Sequence, residues 1–199
     1  MYNKVKKIKT AVFISGRGSN MVSLIKSAGD QNFSALITVV ISDNELAPGI
    51  GLAKNYNVPV EIFDKKKFEK SEFENNAQRV LLNYKIEIIC LAGFMQILSK
   101  KFISNWQNRI INIHPSYLPK NKGLNPQKQV IDERAPFTGC TVHFVNEKVD
   151  SGKIILQEKI KVMQNDNVQS LSDRILQREH EIYPKALNQI ASNMIRVKN

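Results

Sequence analysis

The chain has 199 residues, 42% of them apolar, enough to bury one core of ordinary size, and a single domain over 1–199 is expected. Its 29 Lys and Arg against 18 Asp and Glu give +11 at neutral pH, a balance that attracts anions without choosing among nucleic acid, anionic membrane and small anionic substrates. The choice narrows because Trp106 has no aromatic stacking series beside it and no apolar run is long enough to span a bilayer.

Residues 1–8 read as a flexible basic extension without the apolar core of a secretory signal, so a cytoplasmic location is expected. The lysine runs Lys4–Lys9, Lys65–Lys67 and Lys100–Lys101 read as solvated surface. Short β-branched runs then alternate with helical periodicities. Strands are predicted over Thr10–Ser15, Ala35–Ser42, Val58–Phe63, Ile86–Ala92 and Arg109–Ile113, and helices over Ser19–Ala28, Gly49–Tyr56, Lys67–Tyr84 and Lys100–Trp106. Such alternation implies a parallel sheet. Pro115, Pro119, Gly123 and Pro126 make the next stretch a loop. Thr138–Asn146 and Lys153–Val162 read as a hairpin with Asp150-Ser151-Gly152 at its turn, and Val168 to about Ile190 as a final amphipathic helix that Pro184 breaks or kinks. The fold class predicted is therefore α/β: an open, mostly parallel twisted sheet with a C-terminal β-hairpin and terminal helix.

Three features could carry chemistry. Ser15-Gly16-Arg17-Gly18-Ser19-Asn20 joins the first strand to the first helix, where unpaired N–H groups can cradle an anion; a plain tight turn with Ser19 as N-cap explains it equally well. It has neither a Walker lysine nor the third glycine of a dinucleotide fingerprint. In Asn112-Ile113-His114, period-two geometry puts both polar side chains on one face at a strand's carboxyl end, where open sheets bind ligands. Taken alone, that tripeptide favours a structural hydrogen-bonded pair. Asp150 could hold an imidazole in place and favour its protonated form, or be an ordinary turn residue. His143 on its apolar strand and His180 beside Glu179 read as structural, Cys90 and Cys140 as buried thiols, and this pattern predicts no metal site.

Together these segments resemble the glycinamide ribonucleotide formyltransferases, from about Lys9 to about Leu187. The likeness rests on Ile14 to Asn20, Leu91-Ala92-Gly93-Phe94-Met95, Asn112 to Ser116, Leu118-Pro119-Lys120, Val142-His143-Phe144-Val145, Asp150-Ser151-Gly152 and Glu179 to Pro184, in that order and spacing. The resemblance implies a Rossmann-like formyltransferase fold, glycinamide ribonucleotide as acceptor and 10-formyltetrahydrofolate as co-substrate, with no metal, nucleic acid or membrane, in a monomer or homodimer. It implies Asn112, His114 and Asp150 as the catalytic trio. It likewise implies Gly18, Ser19, Asn20 and Glu179 for the ribonucleotide, and Lys70, Met95, Gln96, Ile97, Leu98 and Asn112 for the folate. Gln96 departs from the pattern, since many members of the family have Arg there. The rivals are a tRNA-using formyltransferase and a formyltetrahydrofolate deformylase, whose extra domains 199 residues are not expected to accommodate, and a non-catalytic nucleotide-binding module.

Overall fold

The computed structural model describes residues 6–198. It forms two compact units, one made of residues up to 98 together with those from 184, the other of residues 99–183. Residues 1–5 of the expected basic extension lie outside the described residues; within its remainder, Lys7 donates to the carbonyls of Ala28 and Asp30, and Ile8 already opens the first strand.

The first unit begins with β1 (Ile8–Ile14), α1 (Ser19–Ala28), β2 (Ala35–Ser42), α2 (Gly49–Asn55), β3 (Val60–Ile62), α3 (Lys70–Asn83) and β4 (Ile88–Leu91). Its strands stand in the order β3-β2-β1-β4, all parallel. β1 and β4 are buried almost throughout, the continuous apolar pattern that helices on both faces of a parallel sheet select. Phe13, Phe63, Phe68, Phe73 and Phe94 form an edge-to-face and stacked cluster beneath it. α3 starts at Lys70, three residues later than the periodicity suggests. Glu69 and Glu72 form a reciprocal capping box there, which satisfies the helix's first amides and leaves Lys67 outside.

The second unit contains α4 (Lys100–Asn105), β5 (Ile110–His114), α5 (Pro126–Asp132), β6 (Phe137–Phe144) and β7 (Ile154–Lys161), the three strands pairing antiparallel in the order β5-β6-β7. The hairpin is as expected. Helix α5 is not foreseen by the loop reading: Pro126 begins it instead of ending a turn, because proline's missing N–H is harmless at a helix's first position. Seven strands, mostly parallel and interleaved with helices, make this the α/β architecture that the alternation implies.

In the final helix, α6 (Val168–Lys198), the break offered as one effect of Pro184 does not occur: the helix runs through Pro184 and past Ile190. An interior proline costs roughly 3 kcal/mol. Each large apolar side chain buried in return contributes about 1.5–3 kcal/mol, and Ile182, Tyr183, Leu187 and Ala191 are all buried. Burial therefore outweighs the proline.

Close backbone approach shapes the glycine loop. The Gly49 amide donates to Gly16 O at 3.1 Å, and a Cβ on Gly49 would meet that same oxygen at 2.9 Å and Ile14 at 2.8 Å. Gly49→Ala should therefore lower stability by roughly 1–3 kcal/mol, read as a fall in Tm of about 2–4 °C per kcal/mol. An unchanged Tm would show that the loop yields freely.

Candidate active site

Two groups of residues carry the site chemistry, one in each unit. In the first, α1 is entered through Gly18, whose φ of 76° is left-handed and suits glycine. Gly18 is the N-cap, which corrects the alternative of Ser19 in that role, and no side chain caps this helix end among the described residues. The first-turn amides at 19–21 lie at the positive end of the helix dipole. Asn20 is buried and Ser19 half-buried.

The same unit contains the Gly93–Leu98 segment after β4. Met95 and Ile97 are 61% and 66% exposed, neighbouring large apolar side chains presented to solvent, which is a common mark of a binding surface. Leu98 is buried, and Gln96 turns its amide onto Asp43 Oδ2 at 3.0 Å. Lys70 is exposed at the first position of α3.

In the second unit the antiparallel register sets Asn112 opposite His143 and His114 opposite Thr141. The turn after β6 swings Asp150, in a left-handed conformation with φ 47°, back toward both histidines. His114 Nδ1 lies 3.4 Å from Asp150 Oδ2, and His143 Nε2 lies 3.6 Å from Asp150 Oδ1. His114 and Asp150 thus approach each other as the resemblance implies. His143 is the member that its apolar strand disguises. Its Nδ1 sits 2.9 Å from Phe144 O, so it carries the proton, and Nε2 accepts from Asn112 Nδ2 at 3.4 Å. The only sequence signal for His143 is its place on the inward face of β6, which becomes informative once the register with Asn112 is known.

The loop 115–125 closes around this cluster. Asn121 O lies 3.0 Å from His114 Nε2, and the Gly123 amide donates to Asp150 Oδ2 at 2.9 Å. Its earlier part is held by Thr141, whose Oγ1 donates to Ser116 O and accepts from Leu118 N; the Leu118–Pro119 bond is cis.

The electrostatics reverse one expectation. His114 lies below the ordinary histidine value: burial disfavours its charged form more than the Asn121 carbonyl and Asp150 favour it, and His143 opposes charge as well. For Asp150, burial pushes the carboxyl up, but the neighbouring His143, the bond from the Gly123 amide and the charge of the two imidazoles when protonated more than offset this and hold it down. Glu179 is buried on α6, where, after burial itself, its charge is the next cause holding the Cys140 thiol neutral. Among the described residues no group of three or more His, Cys, Asp or Glu could hold a metal, and no helix is long and apolar enough to cross a membrane.

The fold is α/β, with a glycine loop at a helix start in one unit and an Asn–His–Asp constellation at a strand's carboxyl end in the other. The Formyl transferase family model matches residues 8–187, and the chain belongs to that family. Relatives that match from end to end are phosphoribosylglycinamide formyltransferases: that of Haemophilus influenzae is 36% identical over 96% of this chain and 91% of its own. The solved glycinamide ribonucleotide transformylase 1 of Symbiobacterium toebii is 35% identical, with a TM-score of 0.92 over 97% of this chain and 92% of its own. The human trifunctional purine biosynthetic protein adenosine-3 is 43% identical over 96% of this chain, which spans 19% of that protein's length.

The pH consequence has a definite sign. Because His114 is depressed in the folded state, the unfolded chain takes up its proton first as pH falls below the ordinary histidine value of 6.5. Stability from this group is present above that value and is lost as pH falls toward the folded pKa. Asp150→Asn removes a favourable anion and should depress His114 further. NMR titration of His114 reads both; a pKa above 6.5, or one unmoved by the substitution, would refute this electrostatic account.

Proposed function

We propose that this chain transfers the formyl group of 10-formyltetrahydrofolate to the primary amine of N1-(5-phospho-D-ribosyl)glycinamide, giving the formylglycinamide ribonucleotide and tetrahydrofolate in de novo purine synthesis. The observation that carries the proposal is the Asn112–His143–Asp150–His114 cluster in a chain of this family. The acceptor is supported by the end-to-end relatives, which are named for it. The enzyme acts in the cytoplasm on two small molecules, without metal, nucleic acid or membrane.

In the mechanism, the amine nitrogen attacks the formyl carbon and the carbonyl π electrons move to oxygen. Asn112 Nδ2 has two hydrogens; one points at His143, leaving the other for the oxyanion. His114 is held neutral by burial before reaction, so developing negative charge beside it draws onto the ring the proton that the attacking amine releases, to be passed on at collapse. That proton enters at Nδ1, facing Asp150, because Nε2–H already faces Asn121 O. Collapse breaks the bond from the formyl carbon to folate nitrogen, and the proton released by the amine ends on that nitrogen.

The first-turn amides with Gly18, Ser19 and Asn20 take the phosphate, and Glu179 the ribose. Met95, Ile97 and Leu98 wall the pteridine, with Lys70 serving the folate's acidic end. Ser19→Ala should raise the ribonucleotide KM by about tenfold, as loss of a charge-assisted hydrogen bond does, with the folate KM nearly unchanged. Equal rises in both would remove Ser19 from the phosphate site.

The deciding assay follows folate product with glycinamide ribonucleotide, water or charged initiator tRNA as the only acceptor. Turnover with the ribonucleotide alone is expected; turnover only with water or tRNA would overturn the proposal. Asp150→Asn and His114→Ala should each lower kcat by roughly 10²-fold, and together little more than either alone, since the two act as a unit. Multiplicative losses would separate them.

A further inference from the structure

Asp43 follows β2 and is fully buried, yet its Oδ2 accepts from Gln96 Nε2 at 3.0 Å while its Oδ1 is buried with no partner among the described residues. Such a carboxylate binds strongly to whichever donor reaches it, since leaving it unpaired is unfavourable in a dry interior. Gln96 therefore has its amide turned inward between two exposed apolar neighbours, Met95 and Ile97.

The neighbouring bonds tie the same segment to the glycine loop. Ser15, where β1 enters that loop, donates its amide to Gly93 O at 3.2 Å and accepts the Met95 amide on Oγ at 2.9 Å. Its own carbonyl accepts from Asn44 Nδ2 at 3.0 Å, and Asn44 is the residue after Asp43. Ser15 and the Gln96–Asp43 pair are thus two fasteners holding the 93–96 stretch to the ends of β1 and β2.

We propose that Gln96 and Asp43 are a positioning pair: Gln96 does not touch the folate but fixes the Met95–Leu98 wall against the strand ends that carry the glycine loop. This reading replaces a direct folate contact at Gln96 with an indirect one, and it rests on the reading of that wall as the pteridine surface. It also gives Gln96 a definite tolerance. An arginine there can fork onto both Asp43 oxygens, including the unpartnered one, and so serves the same purpose. A glutamate sets two carboxylates against each other, and an alanine leaves Asp43 without its amide donor.

The test uses the full chain with Gln96→Arg, Gln96→Ala and Gln96→Glu. Folate KM should be within about twofold of wild type for Arg and rise about tenfold for Ala, and further for Glu, with kcat and the ribonucleotide KM close to wild type in all three. Hydrogen exchange on the ligand-free protein should quicken at the Met95–Leu98 amides in Ala and Glu and not in Arg. Equal KM rises in all three, as a direct contact to folate would produce, overturn the proposal. So does unchanged exchange in Ala and Glu. Exchange needs no substrate, so if wild type fails to turn over the ribonucleotide, the functional reading falls while the amides still decide whether the pair positions the segment.

Discussion

The second unit is organised around one anion that cannot stay alone. A carboxylate taken out of water is tolerated only with donors around it, and Asp150 accepts the Gly123 amide and faces two imidazoles that donate to it once they take up a proton. The distal nitrogen of each imidazole faces a backbone carbonyl, Asn121 O for His114 and Phe144 O for His143. Carbonyls accept and never donate, so each distal nitrogen carries the hydrogen and any additional proton enters on the side facing Asp150. The loop 115–125, the strand β6 and the turn at 150 are therefore needed together: each contributes one of the contacts that fix where that proton goes.

Three other aspartates show why Asp150 is suited to chemistry. Asp64 accepts the amides of Glu45 and Lys66, which lower its pKa; this is a loop brace whose partners never change charge. Asp166 is held at about 2 chiefly by Arg174, a cation that stays charged at any working pH. Asp43 has a neutral amide donor. Asp150 instead faces His114, an imidazole that can take up a proton, so a small change in local charge there can move one. Burial keeps His114 below its ordinary value, and the barrier to charging it is lowered when negative charge develops beside it.

Most of the fold was legible in the sequence because its signals are local. Continuous apolar runs gave the parallel strands, and helical spacing gave α1 to α4. What was misread depends on partners distant in the chain. Pro184 looks like a break until the burial of Tyr183 and Leu187 is known. Asn112 and His114 were legible as a shared face, but His143 joins them only through the β5–β6 register, and a slip of one residue would turn it away. The raised pKa expected of His114 follows from a neighbouring carboxylate considered alone. Desolvation, a property of the whole surrounding fold, reverses it. Gln96 is placed among the folate residues by the resemblance, while the buried Asp43 that its amide meets lies 53 positions earlier.

The large positive charge and the glycine loop act at different ranges. The Lys67, Lys100 and Lys128 ammonium groups lie exposed in ion pairs with Glu45, Glu147 and Asp132, and pairs of this kind contribute at most about 1 kcal/mol each to stability. The excess of +11 instead creates a field that extends over about 8 Å at physiological salt and draws anions of any shape. A field cannot tell one phosphate ester from another. Discrimination requires donors fixed in position, and backbone amides at a helix start are better fixed than any lysine, whose four-carbon stem must be ordered on binding. That is why the loop needs glycine at 18 and 49: each sits where a Cβ would meet the other's backbone at 2.9–3.2 Å, so the amides can be held rigidly only if neither residue has a side chain.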